Sequence, residues 1–265
     1  PEGGLHRLTL ADEKVKCILK LPGIHMRGRG GIYFEWSPDM KWIAYTTRTG
    51  SESYNIWVIP AEGGDPMNIT KLSAYHSQPT WSPEGKYLYF QSDRSGDGLY
   101  RVALLPAEFR LLDTDEEFTK PSKPVEVKID FAGISKRIQK ITSTNPSSDL
   151  TITKDGKIYF LSDGNVYRAS YSGREVKKLN SDGGRVALRI SKTGQNANFI
   201  KNGSMYRMKL GGGPEQKITF TADWVKDVFA QRTAALYQFW RTYHHRFYDA
   251  NFHGRNWGAI RDKYL

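Results

Sequence analysis

The 265 residues leave room for one large or two small domains, and a 38% apolar content is low for a helical or α/β enzyme but ordinary for thin β-layers joined by many loops. Twenty-five Gly, 12 Pro and a high aromatic share (7 Trp, 15 Tyr, 12 Phe) agree, because tight turns need the former and strands favour the latter. The net charge of +11 raises nucleic acid as a partner, but Lys and Arg are spread in small clusters such as Arg27-Gly28-Arg29 and Lys177-Lys178 with no nucleic-acid motif, which reads as a solvated basic surface.

The chain opens Pro1-Glu2-Gly3-Gly4, with neither an initiator Met nor a charged-then-apolar leader, and so reads as starting inside a longer product. Leu5–Leu10 and Val15–Leu21 follow as two strands, the end of a repeat that begins upstream. The single cysteine, Cys17, sits in the second and is expected to pack there. It cannot form an internal disulfide, so the expected cytoplasmic location has a periplasmic alternative. No apolar run approaches the ~18 residues of a membrane-spanning helix.

A repeat then sets in. Phe34-Glu35-Trp36-Ser37-Pro38-Asp39-Met40-Lys41-Trp42-Ile43-Ala44-Tyr45 aligns residue for residue with Pro79-Thr80-Trp81-Ser82-Pro83-Glu84-Gly85-Lys86-Tyr87-Leu88-Tyr89-Phe90, with Trp36 and Trp81 45 positions apart. Each is followed by another strand, Asn55–Ile59 or Gly98–Val102. Two fainter copies, Leu150–Ser162 with Asn165–Ala169 and Leu188–Ile200 with Ser204–Met208, place Ile152 and Ile190 where the tryptophans stand. A short strand ends in Ser-Pro-Asp/Glu, where Pro pre-sets one turn dihedral and a following Gly accepts positive φ. Weak fourth strands close the first and last copies at Gly63–Thr70 and Gly212–Thr219. The pitch matches the ~40–45 residues of a four-stranded β-propeller blade, a sheet that must stack on neighbours to bury both faces. Residues 1–219 thus hold half a blade plus four, which predicts further blades upstream of a closed ring.

One interval is anomalous, since Trp81 and Ile152 lie 71 positions apart. The excess is an insertion near 105–133, carrying Asp113, Asp115, Glu116 and Glu117 before Lys120-Pro121-Ser122-Lys123-Pro124. Its composition predicts a mobile loop, with a flap at the propeller rim as the functional alternative.

After Thr219 the period changes to that of helices. Ala222–Tyr248 is predicted to be helical behind a Thr221 or Asp223 cap, Asp249–Gly254 to turn, and Trp257–Leu265 to form a second helix capped by Asn256. Residues 220–265 are too few for a domain, so the two helices either pack on the propeller or begin a further domain.

The residues supply no catalytic constellation. His244, His245 and His253 lack an i, i+4 pair or a Cys or carboxylate at ligand spacing, which points to packing or surface roles. No G-x-S-x-G elbow is present, and the glycine runs Gly28–Gly31 and Gly211–Gly213 lack the setting of a phosphate loop. Asp93-Arg94 reads as a turn-anchoring pair. No catalytic, cofactor or metal residue is therefore assigned.

The W-S-P-D/E repeat at Trp36 and Trp81 resembles that of TolB and tricorn-type propellers. Three further features resemble the tricorn protease family in particular: Val125-Glu126-Val127-Lys128-Ile129-Asp130-Phe131-Ala132-Gly133-Ile134, the following Arg137-Ile138, and Phe239-Trp240-Arg241 leading to Phe247-Tyr248-Asp249-Ala250-Asn251-Phe252-His253-Gly254-Arg255-Asn256-Trp257. The resemblance implies a mainly β chain: propeller blades followed by the first helices of a tricorn-type core domain. It implies peptides or unfolded polypeptide as partners, the rest of a larger serine peptidase chain, and a homo-oligomer, without membrane or cofactor. The family's catalytic residues fall beyond Leu265, and His253 matches a structural turn. The alternative is a TolB-like protein-binding propeller with a helical extension.

Overall fold

The computed structural model describes residues 4–20, 33–49, 53–109, 118–191 and 193–264, with the side chain of His245 excepted. The Arg27-Gly28-Arg29 cluster, the Gly28–Gly31 run and the acidic stretch Asp113–Glu117 lie outside the described residues. The chain divides into two compact units, Pro1–Ile218 and Thr219–Leu265.

The first unit is a succession of antiparallel sheets. A two-stranded half-blade, β1 (Gly4–Thr9) and β2 (Lys14–Lys20), precedes four blades of four strands each. The first blade holds β3 (Phe34–Trp36), β4 (Trp42–Arg48), β5 (Tyr54–Pro60) and β6 (Met67–Asn68). The second holds β7 (His76–Trp81), β8 (Tyr87–Ser92), β9 (Gly98–Ala103) and β10 (Ile138–Thr142). The third comprises β11 (Ser148–Ile152), β12 (Ile158–Ser162), β13 (Asn165–Ala169) and β14 (Val176–Lys178); the fourth, β15 (Arg185–Ile190), β16 (Asn196–Lys201), β17 (Ser204–Lys209) and β18 (Gln216–Lys217). Strands lie side by side in chain order within every blade.

The turn chemistry explains the first hairpin of each blade. The Ser37 hydroxyl donates to Asp39 Oδ1 at 2.6 Å and accepts the Trp42 N–H at 2.9 Å, and Ser82 Oγ accepts the Tyr87 N–H at 2.9 Å. The fourth turn position is left-handed in all four blades, at Met40 (φ 60°), Gly85 (φ 73°), Gly156 (φ 77°) and Gly194 (φ 68°). Glycine adopts this without a Cβ penalty, so Met40 is the strained member. In register, Trp36 pairs with Ile43, Trp81 with Leu88 and Ile190 with Ala197, whereas Ile152 pairs with Ile158, so the third hairpin is one residue shorter. That deletion keeps one aromatic pair in place across every blade: Tyr45 opposite Trp57, Phe90 opposite Tyr100, Phe160 opposite Tyr167 and Phe199 opposite Tyr206.

Burial occurs in the seams between blades. Leu5 and Ile18 pack on Ile43, Tyr45 and Ile59; Ala44, Ile56 and Val58 on Leu88, Phe90 and Val102; Tyr87, Tyr89 and Leu99 on Ile158 and Phe160; Tyr159, Leu161 and Val166 on Leu188, Ala197 and Phe199. Each fully buried side chain of this size contributes about 1.5–3 kcal/mol, so no blade is stable without its neighbours. Strand alternation turns Ile18 towards the first blade and leaves Cys17 exposed, contrary to the packing expected from sequence.

The described part of the insertion is likewise packed where composition predicts a mobile loop. Val125, Val127, Ile129, Phe131 and Ile134 join the core between the first two blades, and Phe118 joins that of the next seam. The Val127 N–H donates to Asp39 Oδ2 at 2.9 Å, while the Arg137 guanidinium donates to the carbonyls of Ala103 (2.9 Å), Ala132 (2.8 Å), Leu104 (3.2 Å) and Asp130. A Cβ on Gly85 would stand 2.8 Å from Val127 and 2.9 Å from Val125, so the strap rests directly on the hairpin turn. Alternating apolar residues from Val125 to Phe131 supply the burial that the Pro-rich stretch before them lacks.

In the second unit, α1 (Val228–Arg246) is capped by Asp227, whose Oδ1 accepts the Ala230 N–H at 2.9 Å. The helix therefore starts six residues after Ala222, and Asp227 takes the cap role expected of Thr221 or Asp223, since aspartate is better placed at an N-cap than inside a helix. After a turn, α2 (Trp257–Tyr264) is capped by Asn256, which accepts the Ala259 N–H at 2.9 Å. Reciprocal indole bonds, Trp240 Nε1 to the Trp257 carbonyl at 2.9 Å and Trp257 Nε1 to the Trp240 carbonyl at 3.3 Å, join the helices. Among the described residues, no helix is long and apolar enough to cross a membrane.

Candidate functional site along the inner strands

β3, β7, β11 and β15 are the first strands of their blades, paired on one edge only, and each lies against the next. The last three share a bulge. Register shifts fall between Ser77 and Thr80, Ser148 and Thr151, and Val186 and Arg189. At each shift a non-glycine residue is left-handed: Gln78 (φ 56°), Asp149 (φ 58°) and Ala187 (φ 55°). Such a conformation costs about 1–2 kcal/mol for an L-residue, so its recurrence needs a compensating contact.

That contact is a stitch to the next blade. Gln78 Oε1 accepts the Leu150 N–H at 3.2 Å, and Gln78 Nε2 donates to the Pro146 carbonyl at 3.3 Å. Asp149 Oδ2 accepts the Leu188 N–H at 3.0 Å, and Asp149 Oδ1 accepts from the Arg189 guanidinium at 2.7 Å. In both cases the donor N–H follows the next blade's own bulge residue. In the second blade that place is taken by Pro79, which has no N–H, and the first seam uses a different pair. Glu35 Oε2 accepts the Trp81 N–H at 3.1 Å, and the Glu35 carbonyl accepts from Trp81 Nε1 at 3.1 Å. Side-chain amides extend the polar surface: Gln91 Oε1 accepts from Ser77 Oγ at 2.8 Å and Gln78 Nε2 at 3.1 Å, and Gln91 Nε2 donates to Asn145 at 3.0 Å.

The electrostatics follow from burial. Desolvation pushes the Glu35 carboxyl up to about 7, against the pull of the Trp81 N–H and the Thr80 hydroxyl. Desolvation also raises the Tyr33 phenol, with Tyr75 and Asp149 adding to the effect. At the start of β7, burial holds the His76 imidazole down at about 4, and among the described residues neither ring nitrogen has a hydrogen-bond partner. The strands thus present amide, hydroxyl and carboxylate groups together with the exposed Arg189. Of these, Arg189 is exposed on β15 beside Val186 and Ala187, whereas Ser77, Gln78 and Thr80 are buried in the stitches, and the strands contain no nucleophile paired with a base.

The sequence candidates lie elsewhere. Asp93 Oδ1 accepts the Tyr75 N–H at 2.8 Å and Arg94 donates to the Ser135 carbonyl at 3.3 Å, which is the anchoring role read from sequence. In the second unit His244 stacks between Trp240 (5.1 Å) and Phe252 (5.8 Å). His253 meets the Tyr248 hydroxyl at 2.6 Å and Asp249 at 3.3 Å. Among the described residues, no group of three or more His, Cys, Asp or Glu is placed to hold a metal ion. Sequence reasoning missed the bulge residues because glutamine, aspartate and alanine share no chemistry. Their only signal is position, three residues before Trp81, Ile152 and Ile190.

Residues 230–265 match the family model described as the tricorn protease C1 domain. A tricorn-like protease C-terminal subunit of Sulfurisphaera tokodaii is 38% identical over 65 residues, which is 24% of this chain and 7% of that protein. A tricorn protease homologue of Saccharolobus solfataricus is 32% identical over 66 residues, 25% of this chain and 6% of that protein. The chain therefore spans a small fraction of the length of these relatives. Among solved structures, that of the tricorn protease superposes with a TM-score of 0.72 at 15% identity, covering 98% of this chain and 28% of that one. TolB from Acinetobacter baumannii superposes with a TM-score of 0.55 at 18% identity, covering 82% and 49%. These likenesses bear out the β-propeller fold and the resemblance to the tricorn family.

Proposed function

We propose, for this tricorn-type chain, that it is the non-catalytic propeller segment of a larger serine peptidase, with residues 220–265 opening the peptidase's helical core domain. In this reading the inner strands admit or channel peptides towards a protease domain whose nucleophile lies outside residues 1–265. The observation that carries the reading is the C1-type segment at 230–265 directly after the propeller unit. A TolB-like binding module would need no such segment. The exposed Arg189, with Val186 and Ala187 beside it on β15, supports a peptide-facing role, because an extended chain offers carbonyls to a guanidinium and side chains to an apolar patch.

Labelling with a serine-directed phosphonate, together with hydrolysis of unfolded peptides, tests the division of labour. The natural gene product should label and cleave, while residues 1–265 alone should do neither. Labelling of the 1–265 chain would overturn the reading. A natural product that neither labels nor cleaves but binds polypeptide would favour the TolB-like alternative.

A further inference from the structure

The turn between α1 and α2 carries a side-chain arrangement that the peptidase reading does not use. Three consecutive residues there are left-handed, Phe252 (φ 50°), His253 (φ 53°) and Gly254 (φ 76°). For the two that bear side chains this costs about 1–2 kcal/mol each. Asp249 holds the strained backbone, its Oδ1 accepting the Asn251 N–H at 2.9 Å and its Oδ2 the His253 N–H at 2.8 Å. A glycine or asparagine at position 253 would serve the backbone alone. The imidazole does more, because it bridges two polar groups. His253 Nδ1 stands 3.3 Å from Asp249 Oδ2, and Nε2 meets the Tyr248 hydroxyl at 2.6 Å. The Phe247 ring, edge-on at 5.6 Å, walls one side of it.

The direction of the hydrogen bonds follows. The Asn251 and His253 N–H groups hold the Asp249 carboxyl below the ordinary carboxylate range, so it accepts the proton carried on Nδ1. Nε2 is then the acceptor, and the Tyr248 hydroxyl donates to it. Carboxylate, imidazole and hydroxyl in this order make an activated nucleophile: a base within reach of the O–H, itself oriented by a third group. Tyr248 is 82% exposed, so a reagent can reach its oxygen.

We propose that Tyr248 is a nucleophilic phenol that takes an acyl group from activated esters, with His253 as its general base and Asp249 as the residue that positions the base. The phenol oxygen attacks the ester carbonyl carbon while its proton passes to His253 Nε2. The tetrahedral intermediate expels an aryloxide, which takes that proton from Nε2, and Tyr248 is left as its O-acyl ester. A peptide bond is not a substrate, because its amine is a far poorer leaving group than an aryloxide. The site therefore stands apart from the peptidase reading and adds no peptide hydrolysis.

Incubation of the 1–265 chain with p-nitrophenyl acetate, with each acetyl group mapped by mass spectrometry, tests the proposal. Tyr237 on α1 and Tyr264 on α2, both exposed, are the controls within the same unit. Tyr248 should acetylate at least about tenfold faster than either, somewhat less than the ~10²-fold of a general base sequestered from water. His253→Asn removes the base and keeps a residue that tolerates the left-handed backbone, so the preference for Tyr248 should vanish. Equal rates at the three tyrosines of the unaltered chain, or a preference that persists in His253→Asn, would overturn the proposal. Should the variant fail to fold, the unaltered chain in D2O decides. Acetylation of Tyr248 slowed relative to Tyr264 supports proton transfer to His253, and an unchanged ratio overturns it.

Discussion

The second and fourth blades solve one problem in opposite ways. His76 and Arg185 open their respective inner strands, and each lies against the same aromatic position, His76 5.7 Å from the Phe90 ring and Arg185 5.2 Å from that of Phe199. The second blade is covered on both faces and strapped across its hairpin, and its buried imidazole is held towards the neutral form with no hydrogen-bond partner among the described residues. The fourth blade keeps a full charge at 1% exposure by surrounding it. Arg185 Nε donates to Glu215 at 2.7 Å, Nη1 donates to the Gly183 carbonyl at 2.8 Å, and Asp182 and Lys201 complete the cluster. The repeat thus fixes backbone and aromatic packing, while each blade satisfies its own buried polar group.

The shared aromatic carries the largest effect. Phe90→Ala and Phe199→Ala should each cost about 3–5 kcal/mol in urea unfolding, since both are almost wholly buried. A cost under about 1 kcal/mol at Phe199 would show that the fourth blade is not part of the cooperative unit. Next comes the charge cluster, where Glu215→Gln should cost about 2–3 kcal/mol, because Arg185 keeps Asp182 and the Gly183 carbonyl but loses its buried counter-ion. Replacing Arg185 and Glu215 together by apolar residues should cost less than Glu215→Gln alone.

His76 should show its effect in acid. Its folded-state pKa of about 4 lies below the ordinary 6.5, so its contribution is intact above 6.5 and is lost as pH falls through 4. Thermal melts of His76→Leu should be less sensitive to acid over that window by about 1–2 kcal/mol, with little change at pH 8. Equal acid sensitivity in both proteins would place the titration elsewhere. The smallest effect is a gain: Met40→Gly relieves a left-handed methionine where the other three blades have glycine, and should stabilise by about 0.5–1 kcal/mol.

The legible part of the fold was what repeats in residue type. Trp36 and Trp81, with their Ser-Pro turns, mark the first two blades, and Ile152 and Ile190 mark the others by spacing alone. What repeats only in backbone shape was invisible, as at Gln78, Asp149 and Ala187, where three unrelated side chains share one left-handed bulge. The insertion misled because its Pro- and charge-rich composition outweighed the alternation from Val125 to Phe131. The early helix start had the same origin, since Trp224 and Val225 fit the helical period although they lie before the Asp227 cap and are exposed.

The most direct test of the central claim is photo-cross-linking of an unfolded, benzophenone-bearing peptide to the 1–265 chain, with mass spectrometry of both partners. An intact peptide, cross-linked within residues 148–152 and 185–190 of the inner strands, is expected. A cleaved peptide, or cross-links confined to residues 219–264, would contradict it.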